Sequence, residues 1–86
     1  MARLLVIDDE INLRRVLAVL LTGDGHTVRE AGTFAEARAA LHAEPFDAVL
    51  TDQKLPDGDG LGVLGAAGAL TPPPPVVVIT AFATVE

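Results

Sequence analysis

Asp8, Asp9, Asp52 and Thr80 are the residues of this chain whose types and positions could do chemistry together. Each follows a short apolar run. Leu4-Leu5-Val6-Ile7 precedes the acidic pair, Ala48-Val49-Leu50 lies just before Asp52, and Val76-Val77-Val78-Ile79 ends at Thr80. A carboxylate can act as a nucleophile toward a phosphoryl group, and such transfer needs positioning and charge neutralisation more than covalent assistance. Three carboxylates gathered in one place raise one another's pKa and strain the fold until a cation neutralises them. Hard oxygen donors favour an ion such as Mg²⁺. Taken singly, an Asp after a strand is ordinarily a turn former or a helix cap, and Thr is common at strand ends. An acidic pair at one strand end, an acid at another and a hydroxyl at a third form a set that turn chemistry alone does not explain.

For that set to meet, the apolar runs must be strands of one sheet. Leu4–Ile7 is short and wholly apolar, the pattern of a strand buried on both faces. From Ile11 to Thr22 the period becomes helical: Leu13, Val16, Leu17, Leu20 and Leu21 share a face, Arg14 and Arg15 point elsewhere, and Gly23 and Gly25 end the helix. Thr27–Ala31 reads as an edge-like second strand. Thr33 and Glu36 form a T-x-x-E capping box before a helix that carries Phe34, Ala37 and Leu41 and is closed by Pro45. Phe46–Asp52 is a third strand, and Gln53–Gly58 a loop. Asp59 caps a third helix in which Gly62, Gly65 and Gly68 each cost about 1 kcal/mol relative to Ala, offset by burial of Leu61, Leu64 and Leu70. Pro72 to Pro75 cannot continue it. Val76–Ile79 is a fourth strand, and Thr84-Val85-Glu86 could open a further helix. Strands and helices alternating at short loop lengths predict an α/β fold with a doubly wound parallel sheet. In the flavodoxin-like order 2-1-3-4 the first and third strands are neighbours, and ligands bind outside the carboxyl ends of the strands, where Asp8, Asp9, Asp52 and Thr80 stand.

Composition narrows the partners. The 86 residues suffice for one small domain, and the net charge of −6 argues against nucleic acid or an anionic membrane surface as a direct partner. There is no cysteine, so thiol and disulfide chemistry are excluded. The apolar start is too short for a secretory signal, and no stretch approaches the roughly 20 apolar residues of a membrane helix; the cytoplasm is the expected compartment. His26 and His42 have no metal-ligand partner at useful spacing and are expected on the surface. Gly58-Asp59-Gly60-Leu61-Gly62 lacks the spacing and the position of a dinucleotide loop.

Three segments together resemble the receiver domains of two-component response regulators: Val6-Ile7-Asp8-Asp9-Glu10, then Leu50-Thr51-Asp52-Gln53-Lys54-Leu55-Pro56-Asp57-Gly58-Asp59-Gly60, then Val77-Val78-Ile79-Thr80-Ala81-Phe82. The match runs in order over the whole chain, and the ending Ile79 to Glu86 looks like receivers attached to enhancer-binding transcription activators. The resemblance implies a phosphorylation switch. Asp52 would take a phosphoryl group from the phosphohistidine of a sensor histidine kinase. Asp9, Asp52 and the backbone carbonyl of Lys54 would hold Mg²⁺, with Asp8 acting through water. Thr80 would donate its hydroxyl to the phosphoryl group, and the small Ala81 would leave that group room. Leu55-Pro56-Asp57-Gly58 would shape the loop beside Asp52.

Measured against that family, residues 1–86 are expected to be one receiver domain, incomplete at its C-terminus. The body of the fourth helix, the fifth strand and helix, the family's active-site lysine and its switch aromatic find no counterpart; Lys54 is not that lysine. Without a fifth strand, Val76–Ile79 would become an apolar edge, which predicts self-association through the fourth strand. Two other functions compete: a receiver-like interaction module that is not phosphorylated, and a Mg²⁺-dependent phosphohydrolase with an aspartyl nucleophile. The second lacks the Asp-x-Asp pair on the first strand that such enzymes carry.

Overall fold

The computed structural model describes residues 1–79. In chain order the elements are β1 (Arg3–Ile7), α1 (Ile11–Gly23), β2 (Thr27–Ala31), α2 (Phe34–Ala43), β3 (Ala48–Asp52), β4 (Lys54–Leu55), β5 (Gly58–Asp59), α3 (Gly60–Gly68) and β6 (Val76–Ile79). The four long strands form one parallel sheet in the order β2-β1-β3-β6. This is the expected 2-1-3-4 arrangement, with β2 at one edge. Residues expected as a plain loop form a small antiparallel hairpin instead, Lys54 opposite Asp59 and Leu55 opposite Gly58. Thr80 and the helix start expected at Thr84–Glu86 lie outside the described residues.

β1 is an interior strand, and Leu4, Leu5, Val6 and Ile7 are all buried. Alternation along a strand sends successive side chains to opposite faces. Leu5 and Ile7 join Val49, Ala31, Ala37, Ala40, Leu41, Leu55, Val63 and Ala67 in one core beneath α2 and α3. Leu4 and Val6 face the other way, toward α1, which packs on β1 and β2.

Local chemistry fixes the helix starts. Thr33 Oγ1 accepts from the Glu36 N–H at 3.1 Å, while Glu36 Oε1 accepts from the Gly32 N–H at 2.7 Å. The capping box forms, with its return bond one residue earlier than the motif implies. Asp59 caps α3 as expected, accepting from the Gly62 N–H at 2.8 Å. After α1 the chain reverses at Gly25, whose φ of 91° a side chain would resist.

One packing expectation is corrected. Of the three leucines expected to be buried, Leu61 is 76% and Leu64 48% exposed, and only Leu70, just past the end of α3, is half-buried against the core; Gly60, Val63 and Ala67 are the buried residues of the helix. The inward stripe therefore runs through small residues three and four apart, which let the helix approach closely. A Cβ on Gly60 would sit 3.2 Å from Val78 Cγ1 and 3.3 Å from the Asp52 carbonyl oxygen. The helix expected from Leu13, Val16, Leu17, Leu20 and Leu21 forms, and among the described residues nothing covers most of that stripe. Only Ala18 of that helix is buried, while Val16 and Leu20 are exposed.

Candidate functional site

The ends of β1 and β3 bring the acids together. Ile7 pairs with Thr51 in register, so the chain leaves both strands at the same level, into Asp8 and Asp52. Carboxylate oxygens of Asp8, Asp9 and Asp52 all lie within 4.8 Å of one another, the one such group of acidic or histidine ligands among the described residues. Asp8 is buried, Asp52 half-buried and Asp9 exposed.

Asp8 and Asp52 are each held in their own way. The Asp8 N–H donates to the Ala31 carbonyl at 3.0 Å, and Asp8 Oδ1 accepts from the Glu10 N–H at 2.9 Å. Asp52 Oδ1 accepts from the Gln53 N–H at 2.8 Å, and the buried Thr51 hydroxyl donates to the Asp52 carbonyl at 2.9 Å. Burial pushes the Asp8 carboxyl above its ordinary value. The charges of Asp52, Asp9 and Glu10 push the same way, against the single N–H from Glu10. A group already driven toward its proton by neighbouring anions is one that a cation would relieve. The three donors are hard carboxylate oxygens within 4.8 Å of one another, a donor set that fits a small divalent ion such as Mg²⁺.

The remaining expected residues are placed less fully. Lys54 lies in β4, two positions past Asp52, exposed and paired with Asp59. Ile79 is the register partner of Asp52 and accepts from the Gln53 N–H at 3.2 Å. Thr80, the next residue, falls outside the described residues. Neither histidine joins the cluster: His26 Nδ1 accepts from the Ala2 N–H at 3.0 Å, and His42 is exposed on α2.

Two residues near the site were not singled out by spacing. Arg14, expected to point away, has a side chain only 15% exposed. Its Nη1 donates to the Asp8 carbonyl at 2.8 Å and its Nε to Glu30 Oε1 at 2.9 Å. No local pattern signals this, because Asp8, Arg14 and Glu30 come from three different elements. Asp57, expected as a turn residue, caps α2 from a distance by accepting the Phe34 and Ala35 N–H groups at 2.6 and 3.0 Å. Those two donors hold its carboxyl below the ordinary range. The loop after Asp52 is thereby fastened to α2.

Residues 4–86 match the family described as the response regulator receiver domain. The chain belongs to that family. Among curated relatives, the receiver is 39% identical over 82 residues to the response regulator protein PilR of Pseudomonas aeruginosa, covering 95% of this chain and 18% of PilR. It is 36% identical over 83 residues to the transcriptional regulatory protein ZraR of Salmonella typhimurium, covering 96% of this chain and 19% of ZraR. The chain thus spans about a fifth of the length of these relatives. Among solved structures, the response regulator TrrA of Thermotoga maritima, in complex with Mg(2+)-BeF, superposes with a TM-score of 0.88 at 30% identity, covering 96% of this chain and 72% of that one. The receiver fold and the parallel sheet order agree with the expectation from sequence, and no helix among the described residues is long and apolar enough to cross a membrane.

Proposed function

We propose that this receiver domain is a cytoplasmic phosphorylation switch whose acceptor is Asp52. The observation that carries it is the meeting of three carboxylates within 4.8 Å at the ends of adjacent parallel strands. A carboxylate oxygen of Asp52 attacks phosphorus. The bond from phosphorus to the imidazole nitrogen of a sensor histidine kinase breaks, and its electron pair leaves with the imidazole. The product is an aspartyl phosphate, which water later returns to the carboxylate and inorganic phosphate. Asp9 and Asp52 would hold Mg²⁺ through carboxylate oxygens, the Lys54 carbonyl would add a third protein ligand, and Asp8 would act through water. When bound, the ion neutralises charge on the transferring group. Thr80 would donate its hydroxyl to the phosphoryl oxygen. Any catalysis is confined to the domain's own phosphorylation and dephosphorylation.

The relatives that bear regulatory names support an output in transcription control, of the enhancer-binding activator type that the ending of the chain resembles. Direct nucleic-acid contact by residues 1–86 is disfavoured by the net charge of −6. Within the described residues β6 pairs on one side only, with β3, and exposes Val77 and Val78. We further propose that residues 1–86, taken by themselves, pair through this edge with a second copy. Light scattering over a concentration series should show dimers or larger species; a compact monomer at high concentration would refute the pairing.

Intact-mass measurement after incubation with acetyl phosphate tests the switch. One added phosphoryl group that needs Mg²⁺ and is lost in Asp52→Asn is the expected result. An adduct that survives Asp52→Asn would overturn the assignment. No adduct at all would favour the unphosphorylated interaction module.

A further inference from the structure

The β1–α1 turn carries two of the three clustered carboxylates, and their mutual repulsion works to splay it. Its backbone is anchored in two places. The Asp8 N–H is tied to Ala31 at the end of β2, and the Asp8 carbonyl is tied to the Arg14 guanidinium at 2.8 Å. Arg14 is itself fixed at a second point, by its Nε bond to Glu30 on β2. A planar fork held at two points orients an acceptor more firmly than a single flexible ammonium would.

Gly32 shows that room is kept for this fork. A Cβ there would lie 2.7 Å from Arg14 Nη1 and 3.7 Å from its Cζ. The backbone does not require glycine at that position, because the only positive φ among the described residues belongs to Gly25. What the missing side chain provides is space for the guanidinium. From these contacts we propose that Arg14 is a positioning residue of the acidic pocket: seated over Gly32, it holds the Asp8–Asp9 turn in the arrangement that binds a divalent cation. The inference rests on the reading of that pocket as a Mg²⁺ site and adds to it the device that pre-organises the turn.

Calorimetric titration of Mg²⁺ into the folded protein tests it, below the melting temperature of every variant. The set is wild type, Arg14→Met, Gly32→Ala and Arg15→Met. Gly32→Ala alters no charge and displaces only the tip of a flexible side chain, so it decides the matter even where Arg14→Met fails to fold. Outer-shell partners of metal ligands commonly change affinity by about 10- to 100-fold, and a loss near the lower end is expected for Arg14→Met and Gly32→Ala. Arg15, whose Nε lies 3.4 Å from the same Glu30 oxygen, serves as the control, and Arg15→Met should bind as wild type does. Amide exchange at Asp9 and Glu10 in cation-free protein should quicken in the first two variants only. Folded Arg14→Met and Gly32→Ala proteins with wild-type Mg²⁺ affinity would overturn the inference while leaving the metal site standing. A wild-type protein that takes up no Mg²⁺ would overturn the metal site, and the inference with it.

Discussion

On the face of the sheet that carries α2 and α3, Ala37, Ala40, Leu41, Val63 and Ala67 are buried against Leu5, Ile7 and Val49. On the face that carries α1, Ala18 is the helix's only buried residue, and Val16 and Leu20 are 54% and 61% exposed. The two sides therefore differ in the size of the apolar side chains their helices carry and in how far these are covered among the described residues. Small residues on α2 and α3 let helix and sheet close together and exclude water, which is where burial stabilises. Among the described residues nothing packs over the bulkier stripe of α1, and what α1 gives the site is polar. Glu10 caps the helix by accepting from the Asn12 N–H at 3.0 Å, and Arg14 reaches back to the Asp8 carbonyl.

The largest expected effect lies on the packed face. Leu41→Ala, at a position 4% exposed, should cost about 2–5 kcal/mol in urea unfolding, the usual range for a buried leucine. A loss below 1 kcal/mol would mean that the α2 face is not the main core. The acidic mouth, where the two faces meet, should respond next. At a Mg²⁺ concentration one hundred times Kd, mass action adds about 2.7 kcal/mol. Asp9→Asn should remove most of that gain, as followed by thermal melting with Mg²⁺ and with chelator.

The same mouth carries a pH signature. Asp8 binds its proton more tightly folded than unfolded, so its ionisation subtracts stability as pH rises from the ordinary 3.8 through the raised folded value. Asp8→Asn should accordingly raise the melting temperature in chelator at neutral pH and leave it nearly unchanged in acid. Asp57 and Glu44 have the opposite sign. The Phe34 and Ala35 N–H groups lower the first, and Arg3 then Arg29 lower the second. Their contribution is present above the ordinary values of 3.8 and 4.5 and is lost as pH falls through the lowered folded ones. A pH series on Asp57→Asn should show a deficit against wild type that closes in acid.

Smaller effects refine the contrast between faces. Thr33→Ala removes the local cap of α2, leaving Asp57 on the Phe34 and Ala35 N–H groups, and should cost about 1 kcal/mol in urea unfolding. Leu20→Ala on α1 should stay within about 0.5 kcal/mol of wild type. If Leu20→Ala costs as much as Leu41→Ala at high protein concentration but not at low, the α1 face is being covered by a second molecule.

Much of this was legible from residue order because it is local. The wholly apolar run at Leu4–Ile7, the Thr33 and Asp59 caps and the change of period after Asp9 each write their structure into a few neighbouring residues. The acid cluster was legible too, since strand ends of one parallel sheet share an edge. Contacts that join distant elements were not. Arg14 looks like any solvated helix residue until β2 brings Glu30 and Gly32 beside it, and Asp57 looks like turn chemistry until α2 presents its free N–H groups. The leucines of α3 misled for a related reason. A helix that must approach a sheet closely turns its glycine and alanine inward, and hydrophobicity alone ranks Leu61 and Leu64 above them.

The most direct test of the switch is to find where the phosphoryl group sits. Protein treated with acetyl phosphate and Mg²⁺ is reduced with sodium borohydride, which converts an acyl phosphate to an alcohol, and the peptides are sequenced by mass spectrometry. Reduction at position 52, abolished by chelator, is the predicted result. Reduction at Asp8 or Asp9, or at position 52 to the same extent without Mg²⁺, would contradict it.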